Sequence, residues 1–274
     1  MIGHAFDFTG PRGYRLSGRL EEPEIPPRGW AMLAHCFTCG KDSLATTRLA
    51  RALASHGIGV LRFDFAGLGT SGGSFAATSF AADVDDLVAA GDAMAAAGKA
   101  PSLLVGHSLG GAAALMAAGR MPGIRAVATI GAPFDVAHLL HQFDPASLDT
   151  IAARGEAEVL LAGRPFVVRQ SFIEDLRRHD LAAAIAALHR PLLILHSPRD
   201  ATVGIDNAAR IFTAAKHPKS FIALDEADHL LTRRADADYA AAMITTWATR
   251  YLPADRAAAA SPGAAPAPPR SSDG

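Results

Sequence analysis

LLVGHSLGGAAALMAA, residues 103–118, is an apolar run that breaks at one polar pair and then resumes. Leu103, Leu104 and Val105 read as a buried strand, and the alanine-rich half from Ala112 reads as a helix. Between them His107 and Ser108 are hemmed in by Gly106, Gly110 and Gly111. A serine at such a strand-to-helix junction is forced into a sharp, strained turn, and only residues without a β-carbon fit alongside it. The turn pushes Ser108 Oγ out of the sheet. The next amide, that of Leu109, then points its N–H from a helix N-terminus toward any oxyanion formed there. By itself G-x-S-x-G is only moderately specific, because small-residue turns arise by chance in a chain this rich in Gly and Ala.

Working outward, short apolar runs at 30–35, 58–63, 101–106, 124–130, 191–196 and 219–224 alternate with helical periodicity. That alternation predicts an α/β fold, with a mostly parallel sheet covered by helices on both faces. Two further runs, 5–9 and 14–20, are separated by the turn signal GPRG and read as an antiparallel edge hairpin, making eight strands. Phe80, Val84, Leu87, Val88, Gly91 and Met94 recur at helical spacing, as do Tyr239, Met243, Trp247 and Tyr251, and both stripes are assigned to core contacts. Residues 134–190 break the rhythm: "EVLLA" and "PFVVR" flank Gly163 as a hairpin, with helical pieces at 147–153 and 171–187. An insertion of that length between adjacent strands is expected to be a lid. The organisation predicted is one domain over residues 1–253 and an Ala/Pro-rich tail over 254–274 that cannot bury a core.

Polar residues cluster where the strand-like runs end. His35 follows "WAMLA", Asp64 follows "VLRF", Asp200 lies just beyond "PLLILHSPR", and His229 lies beyond "SFIALDEAD". In a parallel sheet the C-terminal strand ends share one edge, so residues remote in sequence converge there. A serine hydroxyl is a poor nucleophile at neutral pH and needs a base, which in turn needs a carboxylate to orient it. His229 and Asp200 supply both, in the chain order Ser, Asp, His expected of an α/β-hydrolase. Asp225, Glu226 and Asp228 are assigned to surface solvation, and His107, His138, His141, His196 and His217 to hydrogen-bonded structural roles. The second oxyanion donor is expected in "AHCFTCGKD", at the amide of Phe37.

Composition narrows the rest. Half of the 274 residues are apolar, enough for one large core, and the formal net charge is -1 with no basic stripe, which argues against nucleic acid or an anionic membrane as a partner. The start MIGHAFDF is not a signal peptide and no stretch approaches a membrane span, so a cytoplasmic protein acting on a small acyl substrate is expected, without cofactor or metal. Only Cys36 and Cys39 are present, which excludes a disulfide framework. Their C-x-x-C spacing suits a redox pair, half of a metal site, or two buried side chains packing the loop. Zinc would need two further ligands, and His35 is badly spaced to serve.

The segments "HCFTCGKD", "LRFDFAGLGTSGG", "GHSLGG", "TIGAPFD", "HSPRDATVGIDNAARIF", "HPKSF" and "ADHLLTRRADADY" occur in order, within a match that covers nearly everything from residue 5 to 252. Together they resemble the α/β-hydrolases fused to OsmC-type domains in bacteria, related to serine aminopeptidase and monoglyceride lipase-like hydrolases. The resemblance implies Ser108 as nucleophile, Asp200 as acid and His229 as base. Asp64, Gly67, Gly69 and Ser71 match a broader D-x-x-G-x-G-x-S pattern, in which Asp64 is read as structural. Here an Ala/Pro-rich stretch stands where the fused relatives carry OsmC, so peroxidase chemistry is not expected.

These readings converge on a serine hydrolase, foremost a carboxylesterase for small to medium acyl esters. Amide hydrolysis, acyl transfer and perhydrolysis share the nucleophile and stay open, as does a ligand-binding module with an idle triad. Phe134, Phe143, Phe166 and Phe172 in the insertion either line an acyl pocket or pack the lid itself.

Overall fold

Alternation with period two decides the layering. The computed structural model describes residues 2–161 and 163–252; the segment 254–274, read above as a tail, lies outside the described residues. In chain order the elements begin with β1 (Ile2–Ala5), β2 (Phe8–Thr9), β3 (Arg15–Leu16), β4 (Gly18–Glu22), β5 (Gly29–Ala34), α1 (Leu44–Ser55), β6 (Ile58–Phe63) and α2 (Phe80–Ala96). The nucleophile region follows as β7 (Leu103–His107), α3 (Leu109–Ala118) and β8 (Ala126–Ile130). The insertion holds α4 (Pro145–Arg154), β9 (Glu156–Leu161), β10 (Arg164–Arg169), α5 (Gln170–Arg178) and α6 (Leu181–Ala186). The chain returns to the sheet with β11 (Leu192–His196), α7 (Asp206–Ala214), β12 (Lys219–Ala223) and α8 (Arg234–Ala248).

The main sheet is eight-stranded, in the order β1-β4-β6-β5-β7-β8-β11-β12. Pairings from β6 to β12 are parallel, whereas β1 with β4 and β4 with β6 are antiparallel. Odd and even residues of the central strands serve opposite faces. Ala31, Leu33, Leu103 and Val105 pack with Leu49 and Leu53 of α1 and with Ala240 and Ile244 of α8. Met32, Ala34 and Leu104 pack with Leu87 of α2, Leu115 of α3 and Ile211 of α7. Each fully buried leucine of this kind contributes about 1.5–3 kcal/mol of transfer free energy, so both faces are firmly specified. Phe172, Leu176 and Ile185 of the insertion join the second cluster, which ties that segment to the sheet.

Several expectations need correction. The run 5–9 splits, because β1 ends at Ala5 and forms the sheet edge with β4, while Phe8 and Thr9 pair with Leu16 and Arg15 in a separate two-stranded ribbon. The helix expected over 171–187 is two helices: Asp180 leaves helical backbone and its side chain accepts the amide of Ala183, starting α6. On α8 the buried face is Ala237, Ala240, Ala241, Ile244 and Ala248; Met243, Trp247 and Tyr251 pack against the same cluster half-buried, as expected, whereas Tyr239 is exposed. Small residues let that helix lie close to the sheet. The helix around 147–153 starts earlier than expected, at Pro145 behind the cap Asp144, and ends at Gly155 in left-handed backbone.

Candidate active site

Ser108 stands between β7 and α3 at φ 55° and ψ −126°, a backbone region that a non-glycine residue occupies only when its surroundings insist. Two of its neighbours show why glycine is required. A β-carbon on Gly106 would lie 2.3 Å from the Gly110 carbonyl oxygen, and one on Gly110 would lie 2.4 Å from that of His35. Strand, turn and helix therefore cross closer than any side chain permits. The Ser108 amide donates to the Ile130 carbonyl at 2.8 Å, which locks the turn to β8.

The three residues picked out in sequence meet here. Ser108 Oγ lies 2.9 Å from His229 Nε2, and His229 Nδ1 lies 2.7 Å from Asp200 Oδ2. A carboxylate only accepts, so Nδ1 carries the imidazole proton and Nε2 is left to accept the serine proton. Asp200 is held by its second oxygen, which accepts the amides of Thr202 at 2.9 Å and Val203 at 2.8 Å. Burial alone would raise the Asp200 carboxyl, but the bond from His229 and these two amides outweigh it and hold it below its ordinary value. All three side chains are buried or nearly so, Ser108 retaining 5% exposure.

Phe37 and Leu109 line one cleft, with Cys36, Gly110 and Phe172. Among the described residues, neither the Phe37 nor the Leu109 amide donates to a turn or loop carbonyl, which leaves both free for a ligand. Leu109 opens α3, where the first amides have no partner within the helix. The Phe37 ring stacks on Phe172 of α5, centroids 5.8 Å apart, and contacts Phe75 at the same distance. Of the other aromatics of the insertion, Phe166 packs on Phe75, Phe143 is buried, and Phe134 lies under the Arg210 guanidinium.

The remaining candidates have other work. Asp64 accepts the Lys41 amide and ammonium, each at 2.6 Å, and the Thr70 amide at 3.0 Å, joining the loop after β5 to the glycine-rich loop after β6. Glu226 pairs with Arg199, Asp228 accepts from Thr232, and Asp225 is exposed. His196 donates to the Val203 carbonyl at 2.8 Å. His138 bonds the Thr202 carbonyl and contacts His141. His107 has a role that spacing did not reveal: its Nε2 donates to the His229 carbonyl at 2.6 Å and so steadies the loop that carries the imidazole. Another is Gly131, in left-handed backbone, where a β-carbon would come within 3.1 Å of Asp200 Oδ2. The only hint of it in sequence is a glycine directly after a strand.

Cys36 and Cys39, left open between a redox pair, a half metal site and two separate buried side chains, are joined by a disulfide. Among the described residues no group of three or more His, Cys, Asp or Glu could hold a metal ion, and no helix is long and apolar enough to cross a membrane.

The family model described as "Alpha/beta hydrolase family" matches residues 29–242. Among solved structures, the esterase domain of a Rhodothermus marinus protein is 47% identical, covers 92% of this chain and 100% of its own, and superposes with a TM-score of 0.76. Est1E of Butyrivibrio proteoclasticus, solved with ferulic acid, shares the fold at 17% identity, with a TM-score of 0.77 over 90% of this chain and 99% of its own. Mouse palmitoyl-protein thioesterase ABHD10, a mitochondrial protein, is 27% identical over 189 residues, which are 66% of this chain and 62% of the relative's length.

Proposed function

This chain belongs to the alpha/beta hydrolase family, and from that premise we propose that it is a serine carboxylesterase for small to medium acyl esters, with Ser108, His229 and Asp200 as its catalytic residues. The observation that carries this reading is the unbroken relay Ser108 Oγ, His229 Nε2, His229 Nδ1 and Asp200 Oδ2, with contacts of 2.9 and 2.7 Å. His229 takes the serine proton as Oγ bonds to the ester carbonyl carbon, and the Phe37 and Leu109 amides receive the oxyanion. As the tetrahedral centre collapses, the alcohol leaves with the proton from His229. A water, deprotonated by the same imidazole, then releases the acid and regenerates Ser108. The Rhodothermus marinus relative, an esterase domain, supports the ester class. Thioesters enter the same scheme, since the mouse relative is named a thioesterase. The narrower kinship with OsmC-linked hydrolases rests on the order of the matching segments from "HCFTCGKD" to "ADHLLTRRADADY", H-C-F-T-C among them.

The test uses a fluorophosphonate probe and a chromogenic ester panel of increasing acyl length, with amide and thioester analogues. Wild type is expected to be labelled once per chain and to turn over short and medium esters, and Ser108→Ala to do neither. Labelling that persists in Ser108→Ala, or tight ligand binding without turnover in wild type, overturns the assignment.

A further inference from the structure

The proposed oxyanion donor lies inside a covalent ring. Cys36, Phe37, Thr38 and Cys39 are closed on themselves by the disulfide and by a bond from the Cys39 amide to the Cys36 carbonyl at 3.1 Å. Within the ring Thr38 takes φ 57°, in the left-handed region that a β-branched residue avoids at a cost of roughly 1–3 kcal/mol. Such a conformation persists only where the surroundings hold it, and at Thr38 the closed ring is one of the restraints that does so. Opening the ring removes a covalent restraint that spans the Cys36–Phe37 and Phe37–Thr38 peptide planes, and so a restraint on the Phe37 N–H.

Two further contacts hang on the same ring. The Thr38 carbonyl accepts from Arg164 of β10, and the Phe37 ring stacks on Phe172 of α5, so the ring is also the point at which the insertion grips the loop after β5. Cys36 is 5% exposed and anchored at the end of β5, whereas Cys39 is only half-buried. Cys39 is thus the more exposed of the two cysteines.

We infer that the Cys36–Cys39 disulfide is a positioning element of the catalytic centre, holding the Phe37 amide in register with Ser108, and that its reduction lowers turnover without dismantling the fold. This rests on the serine esterase reading above. A dithiol reductant supplies the chemistry. One of its thiolates attacks Cys39 Sγ, the Sγ–Sγ bond breaks, and Cys36 leaves as thiolate and takes a proton. The reagent's second thiol then displaces Cys39 from the mixed disulfide. Two electrons and two protons pass to the cysteines, and the reagent ends as its own cyclic disulfide.

The experiment compares air-oxidised wild type, the same protein reduced with dithiothreitol, and the double variant Cys36→Ser with Cys39→Ser, on a short chromogenic ester. Thiol titration verifies each state. Near-ultraviolet dichroism is followed at the assay temperature. In the reduced and the serine forms kcat is expected to fall by roughly tenfold or more, within the bound of about a hundredfold to a thousandfold set by outright loss of an oxyanion donor. KM is expected to stay within about twofold, because the interaction lost is one made in the transition state. Fluorophosphonate still labels Ser108, more slowly, and reoxidation with oxidised glutathione restores the reduced wild type.

Equal kcat in oxidised and reduced enzyme overturns the inference while leaving the esterase reading intact. Two free thiols in the air-oxidised protein overturn it as well. Loss of near-ultraviolet dichroism on reduction also does so, because the bond is then a staple of the fold rather than a positioning element. An oxidised enzyme that neither labels nor turns over an ester instead sinks the esterase reading, and this inference with it.

Discussion

Asp200 and His107 both hold His229, one through the ring and one through the backbone. Asp200→Asn keeps the shape but offers the ring an amide in place of a carboxylate, which favours the wrong tautomer. A fall in kcat on the order of ten-thousandfold is expected, as in the serine protease template, read by steady-state ester hydrolysis. His107 makes its prediction through stability. Burial, with the neighbouring His229 adding to it, lowers its value to about 4 from the ordinary 6.5, so the folded protein keeps it neutral. In the unfolded chain it protonates already near 6.5. Between those values the unfolded state binds the extra proton, and stability falls as pH drops from about 6.5 to about 4, by about 3 kcal/mol in all. His107→Gln, which retains a donor for the His229 carbonyl, should flatten that slope when urea unfolding is compared at pH 7 and pH 4.5. An unchanged slope would assign the acid sensitivity to other groups.

Among the elements, the insertion meets the loop after β5 through the stack of Phe172 on Phe37. Its α5 contributes Phe172 to the wall of the cleft that Phe37 and Leu109 share. Phe172→Ala removes that wall and the stack on Phe37. The variant should lose about 3–5 kcal/mol of stability, and its preference should shift toward longer acyl chains. A chain-length profile unchanged in the variant would mean that Phe172 packs the lid and takes no part in selectivity. The elements were unevenly legible beforehand. Central strands and the hairpin about Gly163 announce themselves by period and turn chemistry. Of the α8 stripe, Met243, Trp247 and Tyr251 are core contacts as their spacing predicts and Tyr239 is not, while the alanines, which set how closely the helix approaches the sheet, carry no such signal. The break at Asp180 was present as a capping residue within a helical pattern.

At the scale of the whole molecule, charge is buried in places that composition does not reveal. Arg62, 1% exposed, pairs with Glu21 at 2.9 Å and with Asp42 at 2.6 Å, and Lys41 pairs with Asp64, so one ionic network braces the loop carrying Phe37. Against this, Asp83 on α2 lines the cleft near the site, and burial, with the Asp86 carboxylate adding to it, raises its carboxyl well above the ordinary range. The unfolded chain releases that proton near 3.8 while the folded protein retains it, so stability falls as pH rises from there toward the folded value. Asp83→Asn is therefore expected to raise the urea midpoint at pH 7 and leave it unchanged at pH 3. A variant no more stable at pH 7 than wild type would show that the carboxylate is well solvated or paired there.

What the chain determined unaided is local or periodic: the strand-turn-helix around Ser108, the alternation that dictates two buried faces, and the order Ser, Asp, His along the sheet. These follow from backbone sterics and side-chain polarity, which act over a few residues at a time. Only the tertiary structure decided that His107 steadies the His229 loop, that Gly131 must leave room for Asp200, and that Cys36 and Cys39 close a ring around the Phe37 amide. Each depends on the separation of atoms brought together by the pairing of strands, to within an ångström, and no pattern of residue types encodes a distance of that kind.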